Sequence, residues 1–335
     1  MPERFAICVA IFVSLFNKEH RITPKRLLEA LAAGGQGMIY ATMSGKISDY
    51  YVNVLQLPLM FVLILMLGAR VWDAINDPMM GMIVDRKTLK TGRMKPYILI
   101  ATPIISVLTI LMFLSPNLKP VPLMIFTAIV YVLWGMAYTM ADVPFWTLPN
   151  VLTPNSKERS DVISFTKIIN SIGSALPEVL FLAIPLILNA IYASSGNAPN
   201  PLDFEKRKYF LIALFAVVIG GIMYVNCYFH IKERVIPPAK ERKPGEPSSL
   251  KRIFTCKPLM LVVVSGMLSF GRYMLQAAAP HVARYSGFYL GSKAPETVEE
   301  INKNISNVAL VIQVCAAIGM FGTMIAIPFL YKKFN

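Results

Sequence analysis

Charged residues are scarce in this chain. They make up 16% of its 335 residues, against about a quarter in a soluble domain, which argues against an ordinary soluble globule. Histidine is scarcer still: His20, His230 and His281 are the only three, far apart and near the ends of apolar runs. No Ser–His pairing, metal-ligand spacing or phosphate loop is visible, so the sequence does not read as an enzyme. Cysteine is limited to Cys8, Cys227, Cys256 and Cys315. None has CxxC or CxxxH spacing, so they read as free thiols, neither a disulfide frame nor a metal site. Short alternating strands are missing too, which argues against a β-barrel.

What the chain has in abundance is apolar sequence. Hydrophobic residues reach 55% and recur in runs of roughly 20, the length a helix needs to cross a bilayer. Inside lipid each segment must satisfy its own backbone, so helices are expected. Spans are predicted at roughly 27–52, 55–76, 97–115, 121–145, 163–192, 209–231, 258–289 and 306–331. The first is the weakest, because it carries Glu29, Lys46 and Asp49.

The net charge of +14 does not form a basic stripe with interleaved aromatics, so nucleic acid is not an expected partner. The basic residues sit between apolar runs: Lys18 to Arg26, Arg86 to Lys95, Lys157 and Arg159, then Lys232 to Lys257. If the helices alternate, these loops share one side, which predicts a cytoplasmic N-terminus. Lys206-Arg207-Lys208 on the other side argues weakly against it. Phe5 to Phe16 is too short to span comfortably and lacks a cleavage site, so residues 1–26 read as an N-terminal extension. The Pro- and charge-rich stretch from Ile236 to Ser249 reads as a linker. The expected organisation is a six-helix bundle over 27–231, a cytoplasmic linker over 232–257, and two further helices over 258–335.

Charges inside spans cost about 2.5–3.5 kcal/mol each on insertion scales, so they mark pathways more often than packing. Asp73 and Asp77 lie four apart in the second span, on one helix face, with Asn76 beside them. Two carboxylates one turn apart repel unless a positive group intervenes or one is protonated. A bound Na⁺ or a transferable H⁺ answers that repulsion, and so does Arg70, three residues before Asp73. In the fourth span Trp134, Tyr138, Asp142 and Trp146 form an i, i+4 ladder, with Thr139 adding a hydroxyl. Hard cations want several oxygen ligands, and a carboxylate beside an aromatic ring also suits a sugar. Pro144 is expected to break the local helix and free backbone carbonyls. A Trp/Tyr interfacial belt accounts for Trp146 alone but not for Asp142.

In the fifth span Lys167 lies within snorkelling reach of the membrane surface. Glu178 and Arg272 are further intramembrane charges without evident partners. After the second span, Gly81, Asp85 and Arg86, then Gly92 and Arg93, are read as a basic loop with glycines placed for a tight turn and close helix approach.

The run Arg70-Val71-Trp72-Asp73-Ala74-Ile75-Asn76-Asp77-Pro78-Met79-Met80-Gly81 closely resembles the helix-2 signature of the melibiose permease family. These are the glycoside–pentoside–hexuronide:cation symporters of the major facilitator superfamily. Lys95-Pro96-Tyr97, the stretch from Leu133 to Leu148 and the Gly81–Arg93 loop match as well, and the resemblance covers roughly residues 30 to 331. It implies an all-α polytopic membrane fold of twelve helices in two six-helix bundles. About eight of the twelve are expected in this chain, as a C-terminally truncated piece.

The resemblance also implies a cation site of Asp73, Asp77, Asp142 and Thr139, a cargo site of Asp142, Tyr138, Trp146 and Lys167, and a cytoplasmic gating motif of Gly81, Asp85, Arg86, Gly92 and Arg93. Lys167 stands where melibiose permeases have arginine, and cannot make the same bidentate fork. Gly37, next to Gln36, stands where they have a galactosyl-binding aspartate, so a melibiose-like cargo is not implied. The expected function is symport of a sugar or glycoside with Na⁺ or H⁺, or Li⁺, by alternating access in the cell (plasma or inner) membrane, with no other cofactor. The alternatives are a sodium-coupled carrier of lipid-like cargo and a non-transporting truncated remnant.

Overall fold

The structure, a computed structural model, describes residues 24–86, 92–152, 156–195 and 200–230, with scattered positions from 233 to 319. The chain forms two compact units, Met1–Lys240 and Glu241–Asn335. In the first unit, α1 is Pro24–Asp49, continued by a π-helical turn Tyr50–Val54. Then come α2 (Leu59–Arg86), α3 (Lys95–Met112), α4 (Pro120–Leu152), α5 (Ser156–Ser195) and α6 (Pro201–His230). Five of these, α2 to α6, are long and apolar enough to cross a membrane. The first helix does not reach that threshold, in keeping with the charges it carries. The predicted spans 258–289 and 306–331 lie mostly outside the described residues. In the second unit Cys256 and Cys315 are exposed and unpaired.

Two boundaries differ from the sequence reading. Helix α2 does not end at Asp77-Pro78 but runs on through Pro78 to Arg86. Gly81, Asp85 and Arg86 are therefore helical, not loop, and a Cβ at Gly81 would meet nothing within 4 Å among the described residues. Helix α4 likewise passes through both Pro144 and Pro149 to Leu152. A proline removes one helical hydrogen bond and crowds the preceding turn. In an apolar setting no water competes for the remaining backbone groups, so continuing the helix costs less than ending it.

α1 is the hub of the bundle and packs most extensively on α6 and α5. Glycines make this possible. A Cβ at Gly35 would fall 2.2 Å from the Gly220 carbonyl oxygen, and one at Gly173 2.0 Å from that of Gly34. Small residues at such crossings let backbones touch, which supplies the packing that apolar burial cannot supply between helices in lipid. α3 packs between α4 and α6, and α2 rests mainly on α4. α2 accordingly leaves Leu63, Ile64, Leu67, Val71 and Ile75 exposed.

One end of the bundle is closed by aromatics around the π turn. Tyr50 donates from its hydroxyl to the Phe113 carbonyl at 2.9 Å, and Tyr209 stacks on Phe113 while donating to Asp49.

The opposite end is tied by Glu233. Helix α3 begins at Lys95 with Met94 as its N-cap residue, which has no side-chain acceptor to offer. The Glu233 carboxylate supplies it, accepting from the backbone N–H groups of Arg93 (2.7 Å), Met94 (2.9 Å) and Lys95 (3.0 Å). Unpaired N–H groups and the positive helix end both favour an anion there. Gly92 lets the carboxylate in: its φ is +132°, and a Cβ would lie 2.6 Å from Glu233 Oε1. Arg93 is buried and donates from Nε to the Val84 carbonyl at 3.3 Å. Replacing Glu233 by alanine is expected to destabilise the unit by about 2 kcal/mol. It should also accelerate hydrogen exchange at the Met94 and Lys95 amides; unchanged exchange would show that the cap does not hold in solution.

Candidate functional site

The expected site residues fall into two polar groups, both touching α4. The first joins α4 to α2. The Thr139 hydroxyl is 2.9 Å from Asp77 Oδ1 and 3.0 Å from the Gly135 carbonyl. Asp73 pairs with Arg70 at 3.4 Å on the same helix and approaches α4 closely enough that a Cβ at Gly135 would sit 3.3 Å from its Oδ1. Asp77 is exposed, whereas Asn76 is turned inward and buried, its amide nitrogen without a partner.

The second group joins α4 to α1 and α5. Asp142 Oδ1 accepts from the Gln36 amide at 2.6 Å and from the Trp146 indole N–H at 3.1 Å. The same Gln36 nitrogen also bonds the Tyr138 hydroxyl. Tyr138 is stacked at 4.8 Å on Trp134, whose indole donates to Thr109 on α3 at 2.8 Å. Along the i, i+4 ladder the first rung locks α4 to α3, while Tyr138, Asp142 and Trp146 gather around Gln36. A half-buried carboxylate is tolerable when several donors hold it, and here they come from α4 itself and from α1.

Among the described residues, no group of three or more His, Cys, Asp or Glu is arranged to hold a metal ion. Asp142 is engaged with Gln36 and Trp146, and Asp73 with Arg70, so the three aspartates do not form one ligand cluster in this conformation. Lys167 is exposed, and its ammonium has no hydrogen-bond or ion-pair partner among the described residues. Of the expected gating residues, Gly92 and Arg93 are placed at the Glu233 cap; the side chains of Asp85 and Arg86 lie outside the described part.

Two features were not evident from sequence. Asn170, one turn after Lys167, donates to Gln36 Oε1 at 2.5 Å and to the Ala33 carbonyl at 2.9 Å. The polar stripe Lys167, Asn170, Ser174, Glu178 on α5 was the available signal. Lys46 supplies the missing partner of Glu178 at 2.9 Å, its ammonium also lying 4.2 Å from the Phe181 ring centroid.

A family model described as MFS/sugar transport protein matches residues 28–330. The chain belongs to that family. Its members' fold is the polytopic all-α one expected from the helix-2 and helix-4 signatures, and a multi-pass membrane protein follows. The family chain is 28% identical over 247 residues to an uncharacterized symporter, YjmB, of Bacillus subtilis, covering 73% of this chain and 51% of that one. It is 32% identical over 189 residues to the inner membrane symporter YicJ of Escherichia coli, covering 56% and 38%. A lactose permease of Lactobacillus delbrueckii is 26% identical over 239 residues, covering 68% and 36%. These relatives are transporters, not enzymes. This family chain spans about half the length, or less, of the curated relatives it matches.

Proposed function

We propose that this chain carries a cation site and cargo-binding residues of a sugar or glycoside symporter. The observation that carries the reading is the Asp142 carboxylate, half-buried beside Tyr138 and Trp146 and held by donors from α1 and α4. A carboxylate accepts hydroxyl hydrogen bonds, and an indole face packs on the apolar side of a pyranose. The relatives named as a lactose permease, a raffinose carrier and an isoprimeverose transporter support a glycosidic cargo.

The charge balance supports coupling. Asp73, Asp77 and Asp142 oppose Arg70 and Lys167, leaving one net negative charge that a single monovalent cation neutralises. Thr139 and Asp77 already present oxygens side by side at 2.9 Å, so the cation, Na⁺, Li⁺ or H⁺, enters at the α2–α4 contact. Its arrival relieves the repulsion between Asp73 and Asp77. Asp73 is then released from Arg70, and α2 draws toward Asp142. Cargo held at Asp142 favours the same rearrangement, so each ligand raises the other's affinity by one factor. With the basic loops on the cytoplasmic side, the Glu233-capped end of the bundle faces inward.

In this reading, Asp77→Asn removes the charge but keeps the size. In nanodiscs it should abolish the Na⁺ or Li⁺ enhancement of glycoside binding while leaving cation-free binding within about twofold. An intact cation response in that variant would refute the α2–α4 site.

A further inference from the structure

The amide of Gln36 has a determinate orientation, and it traces back to a backbone carbonyl. The Ala33 carbonyl can only accept a hydrogen bond, so the group Asn170 turns toward it must be its NH₂. That same NH₂ donates to Gln36 Oε1 at 2.5 Å. With its oxygen committed to Asn170, Gln36 must aim its own NH₂ the other way, at Asp142 Oδ1 (2.6 Å) and the Tyr138 hydroxyl. Gln36 is 4% exposed, so water cannot supply an alternative partner. Ala33 O to Asn170, Asn170 to Gln36 and Gln36 to Asp142 form one directional chain from α1 to α5, back to α1 and on to α4.

The neighbouring position cannot take over this task. A Cβ at Gly37 would lie 2.5 Å from the Asn170 carbonyl oxygen, 2.7 Å from Ser174 Oγ and 2.9 Å from Asn170 Nδ2. The α1–α5 wall therefore has no room for an acidic side chain at 37, and its polarity is set by two neutral amides.

We propose that Asn170 is a specificity-determining positioning residue of the cargo site: it fixes the Gln36 amide as a donor toward Asp142 and Tyr138, making this wall neutral and suited to an uncharged glycoside over an amino sugar. The inference rests on the glycoside reading above. Without Asn170 the Gln36 oxygen loses its donor and the amide is no longer held in register. Because that oxygen cannot face the Asp142 carboxylate, the amide swings aside, Asp142 is left short of a donor, and the wall favours a cationic group over a hydroxyl.

The test is a double-mutant cycle on the full chain in nanodiscs. Binding of neutral nitrophenyl glucosides, galactosides and xylosides is read by quenching of tryptophan emission, and glucosamine is the competitor. Asn170→Ala is expected to weaken neutral glycoside binding about tenfold and to improve the relative competition by glucosamine. In a Gln36→Ala background the same change should alter affinity less than twofold, because Asn170 acts through Gln36. If Asn170→Ala does not fold, Asn170→Ser replaces it; its short hydroxyl can bond the helix carbonyl four residues back, as Ser174 does at 2.8 Å, and does not reach Gln36. Additive losses in the cycle, or an unchanged glucosamine ratio, overturn the proposal while leaving the glycoside reading intact. A wild-type chain that binds none of the panel overturns the glycoside reading itself, and this inference with it.

Discussion

Replacing Gly173 by alanine is expected to disrupt the α1–α5 crossing and lower stability by about 3 kcal/mol or more, at or above the upper end of ordinary overpacking. The added methyl would sit 2.0 Å from the Gly34 carbonyl oxygen and 2.5 Å from its Cα. Both are backbone atoms that no rotamer change can move, so the helices must separate. In a unit of this size that loss lowers the unfolding temperature by about 10 °C. The damage should reach the site, because Gly173 is one turn from Asn170 and Gly34 lies two residues before Gln36. Gly68→Ala is the control. A Cβ there meets nothing within 4 Å, and alanine's helix propensity should make the change neutral or stabilising by up to about 1 kcal/mol. Equal unfolding temperatures for the Gly173 variant and the wild type would mean that these helices do not cross as described.

The second large effect is expected at the ion pair between α1 and α5. Lys46 and Glu178 meet at 2.9 Å with side-chain exposures of 13% and 25%. Removing one partner strands a charge among helices; the pair is half-buried, so the cost is expected at about 2–3 kcal/mol, below that of a fully buried pair. Lys46→Met also forfeits the contact with Phe181. The double variant Lys46→Met, Glu178→Leu should recover most of that loss, since no charge is left unpaired. Chemical denaturation of the two single variants and the double variant measures this. A double variant as unstable as the sum of the singles would show that the pair is held by something other than mutual neutralisation.

The sequence made the helices and their chemistry legible with little ambiguity. Runs of about 20 apolar residues leave few alternatives to spanning helices, and intramembrane aspartates stand out because each is costly. Asp73, Asp77, Thr139, Tyr138, Asp142 and Trp146 were all visible in this way. Helix ends were less legible. The second span reads as ending at residue 76 and Pro144 as a break, yet α2 and α4 run through Pro78 and Pro144. Asn170 and Glu233 were invisible for a different reason: a neutral asparagine is an unremarkable helix residue, and a glutamate in a charged stretch reads as solvated. Only their partners, Gln36 and the first amides of α3, give them meaning.

By itself, then, the sequence determined a polytopic helical membrane protein and the residues of its charged face, because composition and helical periodicity are local properties. Its sugar-transport family was legible only through the resemblance of the Arg70–Gly81 and Leu133–Leu148 runs, which the family match bears out. Tertiary structure alone decided that Lys46 pairs with Glu178 and how the polar residues divide into an α2–α4 group and an α1–α4–α5 group. Those outcomes depend on helix crossings so close that a Cβ at Gly35, Gly37 or Gly173 would lie 2.0–2.9 Å from atoms of the facing helix. Such distances arise only when helices far apart in sequence are brought into contact.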